Sequence, residues 1–96
     1  MTNEMNNFIN YLNEHCKLAD TDHYKFNTRG RKYLKVVEVR NGRDASVYCF
    51  IKKDDGGIYK ADSWTTPSKG ERANVNNLDS YVGIADEFGG WLYRYR

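Results

Sequence analysis

Between Trp64 and Arg72 the chain places a tryptophan, three hydroxyls, a lysine, a glycine and an arginine in nine residues, together with its only proline. These groups suit the gripping of an anion. Lys69-Gly70 lets backbone N–H groups approach a ligand closely, Arg72 offers a planar fork for phosphate or carboxylate, and Thr65, Thr66 and Ser68 add hydroxyl donors. Trp64 supplies a ring on which a base or a partner side chain could stack. The same residues admit a purely structural role: Trp64 plugs the end of a small core, Pro67 stiffens the loop, and Lys69 and Arg72 only solubilise it.

A second basic cluster, Arg29-Gly30-Arg31-Lys32, heads a segment of uneven charge. Residues 29–43 carry six basic side chains against Glu38 alone, whereas the flanking stretches are slightly acidic, so the net charge of +2 hides a local excess. Such an excess fits an anionic partner, and a solvated strand with its turns would look similar. The candidate binding set is therefore Trp64, Thr65, Ser68, Lys69 and Arg72 with Arg29, Arg31 and Lys32. Their chemistry points to nucleic acid or a nucleotide.

Enzyme signatures are weak by comparison. His15 and His23 are eight positions apart and match no metal pair such as His-x-x-x-His, so neither a metal nor a cofactor is expected. Cys16 falls on an apolar helical stripe and Cys49 inside a strand run, the places of small buried hydrophobes, and two such thiols make no disulfide framework. Asp54-Asp55 beside Gly56-Gly57 reads as a hairpin tip exposed to water rather than a pair of catalytic carboxylates. No phosphate-binding or dinucleotide glycine motif occurs, and no catalytic residue is assigned.

A chain of 96 residues forms one domain with a small core, about 60 to 65 per cent of its unfolded surface being buried. Hydrophobic content of 40% and charged content of 29% are ordinary for a globular chain; aromatic content of 15%, mainly eight tyrosines, is high. The polar start carries no leader-like apolar segment, and no apolar run approaches ~18 residues, so a cytoplasmic protein without a membrane span is expected.

The elements that must hold the candidate residues follow from periodicity. Met5, Phe8, Ile9, Leu12 and Cys16 form one stripe, predicting a helix over 3–17 with Thr2 or Asn3 as N-cap. Asp20 to His23 reads as a turn. Lys32 to Val39 and Ala45 to Lys53 read as a hairpin around Arg40–Asp44, and Asp54–Gly57 turns the chain into a third strand, Ile58 to Ser63. Alternation in the middle strand puts Ala45, Val47, Cys49 and Ile51 against the helix, with Tyr48 and Phe50 on the other face. If exposed there within a basic rim, those aromatics would resemble single-strand binding platforms. Glu71 to Leu78 has no decided state, and Gly89 to Arg96 reads as a last strand with Trp91, Tyr93 and Tyr95 on one face. The expected fold class is α+β: an N-terminal helix on a mostly antiparallel meander of three to five strands.

From Ser46 to Asn74 the chain resembles small proteins encoded by tailed bacteriophages, in which an Asp/Gly turn and a strand precede Lys-x-x-Ser-Trp-x-x-Pro-x-Lys-x-x-Arg-x-Asn. Here that pattern falls on Lys60, Ser63, Trp64, Pro67, Lys69, Arg72 and Asn74. The resemblance implies a phage protein acting in the host cytoplasm, but no defined activity. Two functions are then expected, neither enzymatic. One is a module that binds an anionic ligand during host takeover or counter-defence; the other is an antagonist that occludes a host protein through a tyrosine-rich surface. Either would work as a monomer or a small homo-oligomer.

Overall fold

A computed structural model describes residues 2–17 and 19–93. The helix α1 spans Asn3–His15, and Thr2 caps it by accepting a hydrogen bond from Met5 N at 3.1 Å. Its stripe lands where the spacing puts it: Met5, Phe8, Ile9 and Leu12 are buried against one face of a sheet.

The sheet is an antiparallel meander in the order β1-β2-β3-β4-β5, with β1 at His23–Asn27, β2 at Tyr33–Arg40, β3 at Arg43–Lys52, β4 at Gly57–Lys60 and β5 at Ala73–Asn74. The expected α+β architecture is thus present, with β1 and β5 added to the three meander strands read from the sequence. Asn41 and Gly42 both take positive φ, 52° and 77°, the conformation a two-residue turn needs between right-twisting strands. Strand β1 is pinned to the helix by Asn13, whose Nδ2 donates to Tyr24 O at 3.1 Å and whose Oδ1 accepts from Tyr24 N at 2.7 Å.

Two expectations need correction. Tyr48 is buried, not on the open face, because β3 carries β-bulges: Val36 pairs with Cys49 but Val37 with Val47, leaving Tyr48 as an extra residue. The bulge reverses the phase of the strand. Tyr48 joins Cys49 and Ile51 in the core, while Val47 shares the open side with Val37. Phe50 does lie on the open face, yet its neighbours there leave it only 2% exposed.

The second correction concerns the C-terminal segment. Gly90–Tyr93 is a 3-10 helix rather than a strand, and it drops Trp91 and Leu92 into the core. Trp91 Nε1 donates to the Tyr48 hydroxyl at 2.8 Å, and that hydroxyl donates to Asp86 O, so the bulged tyrosine ties the last turn to the sheet. Arg94, Tyr95 and Arg96 lie outside the described residues. The undecided stretch resolves into β5 and a 3-10 turn at Leu78–Ser80, with Ser80 Oγ accepting from Asn74 N at 3.0 Å.

Candidate nucleic-acid interface

The loop after β4 turns its polar groups largely on itself. Ser63 Oγ accepts from Thr65 N and Thr66 N at 3.3 and 3.2 Å, and Asp62 N donates to Thr66 O at 2.9 Å. Ser68 is buried and its hydroxyl donates to Asp62, holding that exposed carboxyl below its ordinary pKa range. Trp64 is 48% exposed, so it does not plug the core. Thr65 and Lys69 are exposed as well.

Arg72 departs from its expected role. It is 6% exposed; Nε donates to Leu92 O at 2.6 Å, and Nη1 donates to Lys69 O and Gly70 O at 3.0 and 2.9 Å. The fork read as a grip for phosphate instead clasps the loop to the C-terminal turn. Five guanidinium donors are well suited to collecting backbone carbonyls at such a junction.

Strand register also separates the two predicted basic regions. Arg29, Arg31 and Lys32 sit in the β1–β2 connection, level with the Tyr33–Lys52 pair, whereas the Trp64 loop leaves β4 after Lys60, which pairs with Cys49 further along β3. With β1 and β4 on opposite sides of the sheet, Trp64 and Lys69 do not join the arginines in one site.

The Arg29–Lys32 loop has other companions. Paired residues project to the same side of a sheet, so the register assigns the face not covered by α1. His23, Val39 and Asp44 form one row; Lys25, Val37 and Val47 the next; Asn27, Lys35, Phe50 and Tyr59 a third; Tyr33 and Lys52 a fourth. The strand side chains of this face include three lysines and one carboxylate, Asp44, which is already bonded to Lys25 Nζ at 2.9 Å. Lys35 and Lys52 are half-buried, as are Tyr33 and Tyr59. Tyr33 meets Phe50 and Tyr59 edge-on, with ring centroids 6.1 and 5.8 Å apart.

The basic loop joins β1 to β2 at the end of the sheet, and its base, Thr28, lines a cleft on the α1 side with Thr2, Met5, Leu34 and Lys53. Arg29, Arg31 and Lys32 are exposed, and Lys53 Nζ fastens the loop by donating to Gly30 O at 2.6 Å. Gly30 is required by packing: a Cβ there would lie 2.6 Å from Tyr33 O, so only glycine lets the loop fold back over the start of β2. Charge is graded across the sheet. Cations gather over β1, β2 and the end of β3, while Asp55 and Glu71 stand by β4, where, after burial, they help raise the Tyr59 phenol above its ordinary pKa. A polyanion meets attraction on one half of this face and repulsion on the other.

Elsewhere the reactive groups are put away. Cys16 and Cys49 are fully buried free thiols, and burial pushes Cys16 up to about 11 and Cys49 higher still, so both stay protonated at neutral pH. His15 stacks near Tyr11, and His23 begins an edge strand in solvent. No helix among the described residues is long and apolar enough to cross a membrane.

Sequence reasoning missed Lys25, Lys35, Lys52, Tyr33 and Tyr59 as a group. The signal was present, since Tyr24 and Phe26 alternate with Lys25 and Asn27, but β1 was not recognised and the bulge was invisible. Neither the curated proteins nor the solved structures give a match to this chain. A family model does match it over residues 2–94, and the chain belongs to that family, a family of unknown function designated DUF7717.

Proposed function

We propose that this protein is a small non-enzymatic binding module that takes nucleic acid on the open face of its sheet. The observation that carries the reading is the composition of that face and its adjoining loop: Lys35 and Lys52 are cations on it, Lys25 and Asp44, its only strand carboxylate, offset each other at 2.9 Å, and Arg29, Arg31 and Lys32 are exposed in the β1–β2 loop at its end. The original binding set is redistributed. Arg29, Arg31 and Lys32 remain in the site, Arg72 holds the fold, and Trp64, Thr65, Ser68 and Lys69 are too far round the sheet to act with them. A phage protein working on nucleic acid in the host cytoplasm is the setting implied by the sequence resemblance, and it belongs to this proposal.

The test is fluorescence anisotropy with a labelled oligonucleotide across a salt series. Each neutralised phosphate contributes roughly 0.7 to 0.9 to the slope of log affinity against log salt. Replacing Arg29, Arg31 and Lys32 together by alanine lowers affinity by at least about tenfold and flattens that slope by roughly two. Lys69→Ala leaves both nearly unchanged. An unaltered slope in the triple variant would remove the basis of the proposal.

A second reading, occlusion of a partner protein, is supported by a different region. Leu78, Val82, Ile84, Phe88 and Tyr93 are large hydrophobics left 45 to 77% exposed within sixteen residues. Phe88 and Tyr93 flank a cleft of about 230 Å³ that Arg40, Glu38 and Lys60 also line. A salt-insensitive complex lost on Phe88→Ala would select this reading instead.

A further inference from the structure

We infer that the ligand of the open face is single-stranded, its bases seated on Tyr33 and Tyr59 and its phosphates held by the lysines and arginines of β1, β2 and the β1–β2 loop. This rests on the proposal that the face binds nucleic acid, and adds which form it takes.

Three features distinguish a single strand from a duplex. First, the aromatic rings lie among the cations, not apart from them: Tyr33 pairs with Lys52, and Lys35 sits in one row with Phe50 and Tyr59. A duplex presents phosphates on a convex surface and hides its bases, so the rings would face charge and gain nothing. A single strand can splay bases onto rings while its phosphates reach the neighbouring cations.

Second, the rings are mounted firmly. Phe50 is buried and touches Tyr33 edge-on, and Tyr33 in turn meets Tyr59 edge-on. The Tyr59 ring also lies close over Gly57, where a Cβ would come within 3.0 Å of its Cε1, so the backbone there lies against one edge of the ring. Half-buried rings held in this way keep part of their surface in solvent and lose little freedom when a base lands on them.

Third, the charge gradient has a direction. Lys35 and Tyr59 stand two strands apart, about 10 Å, with Lys35 on the basic side and Tyr59 beside Asp55 and Glu71. Those carboxylates repel a phosphate but not an uncharged base. The strand's backbone therefore follows the β1–β2 side with its bases pointing toward β4, an arrangement that a second, paired strand would block with phosphates of its own.

Anisotropy with three labelled probes of equal length, roughly 12 nucleotides, tests this: a single strand, its duplex, and an abasic single strand with the same phosphates. The base-bearing single strand binds at least about tenfold tighter than the abasic one and tighter than the duplex, one stacked base being worth roughly tenfold. Replacing Tyr33 and Tyr59 together by leucine brings the single strand to the affinity of the abasic probe and leaves the abasic affinity as it was. Equal affinity for the base-bearing and abasic strands, or preference for the duplex, overturns the inference while nucleic-acid binding itself stands. Failure to bind any of the three overturns both. Should the double leucine variant misfold, the comparison of the three probes on the unaltered protein decides alone.

Discussion

Arg72 illustrates how a residue type can be read correctly and its role wrongly. A guanidinium near a glycine in a polar loop has the chemistry of an anion grip, but the sequence does not reveal that three carbonyls converge on it. Because it is buried and bonded to Leu92 O, Lys69 O and Gly70 O, Arg72→Ala should cost about 2 to 3 kcal/mol in urea denaturation, through carbonyls left without a partner. Loss of less than half a kcal/mol would show the clasp to be idle. The thiols and two phenols make a pH prediction. Burial raises Cys16, Cys49, Tyr24 and Tyr48, so the folded chain keeps protons that the unfolded chain releases. The stabilisation from Cys16 is complete below pH ~8.5 to 9, the range of a free thiol, and is lost as pH climbs toward about 11. The melting temperature should therefore fall across that window, and Cys16→Ala should reduce the fall. A flat profile between pH 8 and 11 would contradict the burial of these groups.

Among the elements, the helix was the most legible, because five apolar residues at helical spacing leave little choice of face. Leu12 sits at its centre with no exposed surface, and Leu12→Ala should cost about 2 to 4 kcal/mol in a urea melt. The β2–β3 hairpin was equally plain from Asn41-Gly42. What was not legible shares one cause: it depends on contacts distant in sequence. The bulge at Tyr48 arises where the tyrosine hydroxyl can satisfy both Trp91 and Asp86, forty residues away, and strict alternation cannot foresee a phase change set that far off. Strand β1 is short and polar, and the helix residue Asn13 fixes its edge. The last turn became helical rather than extended because Trp91 and Leu92 both find the core that way, where a strand would have sent them to opposite faces. The candidate site suffered accordingly: its basic loop was visible as a charge excess, while the lysines and tyrosines beside it became a surface only once register was known.

The whole molecule is a one-sided sandwich. One sheet face is closed by α1 and by the segment leading to the Gly90–Tyr93 turn; the other carries rings and cations with a charge gradient across it. Binding is proposed on that face, and the exposed hydrophobics of Leu78 to Tyr93 form the competing surface. The measurement that separates them most directly is a two-dimensional amide NMR titration with a single-stranded oligonucleotide at low salt. Shifts are expected to concentrate in Lys25, residues 28–33, Lys35, Lys52 and Tyr59, with α1 and residues 78–93 still. Shifts gathered instead around Leu78, Val82, Phe88 and Tyr93, or none at saturating oligonucleotide, would contradict the proposal.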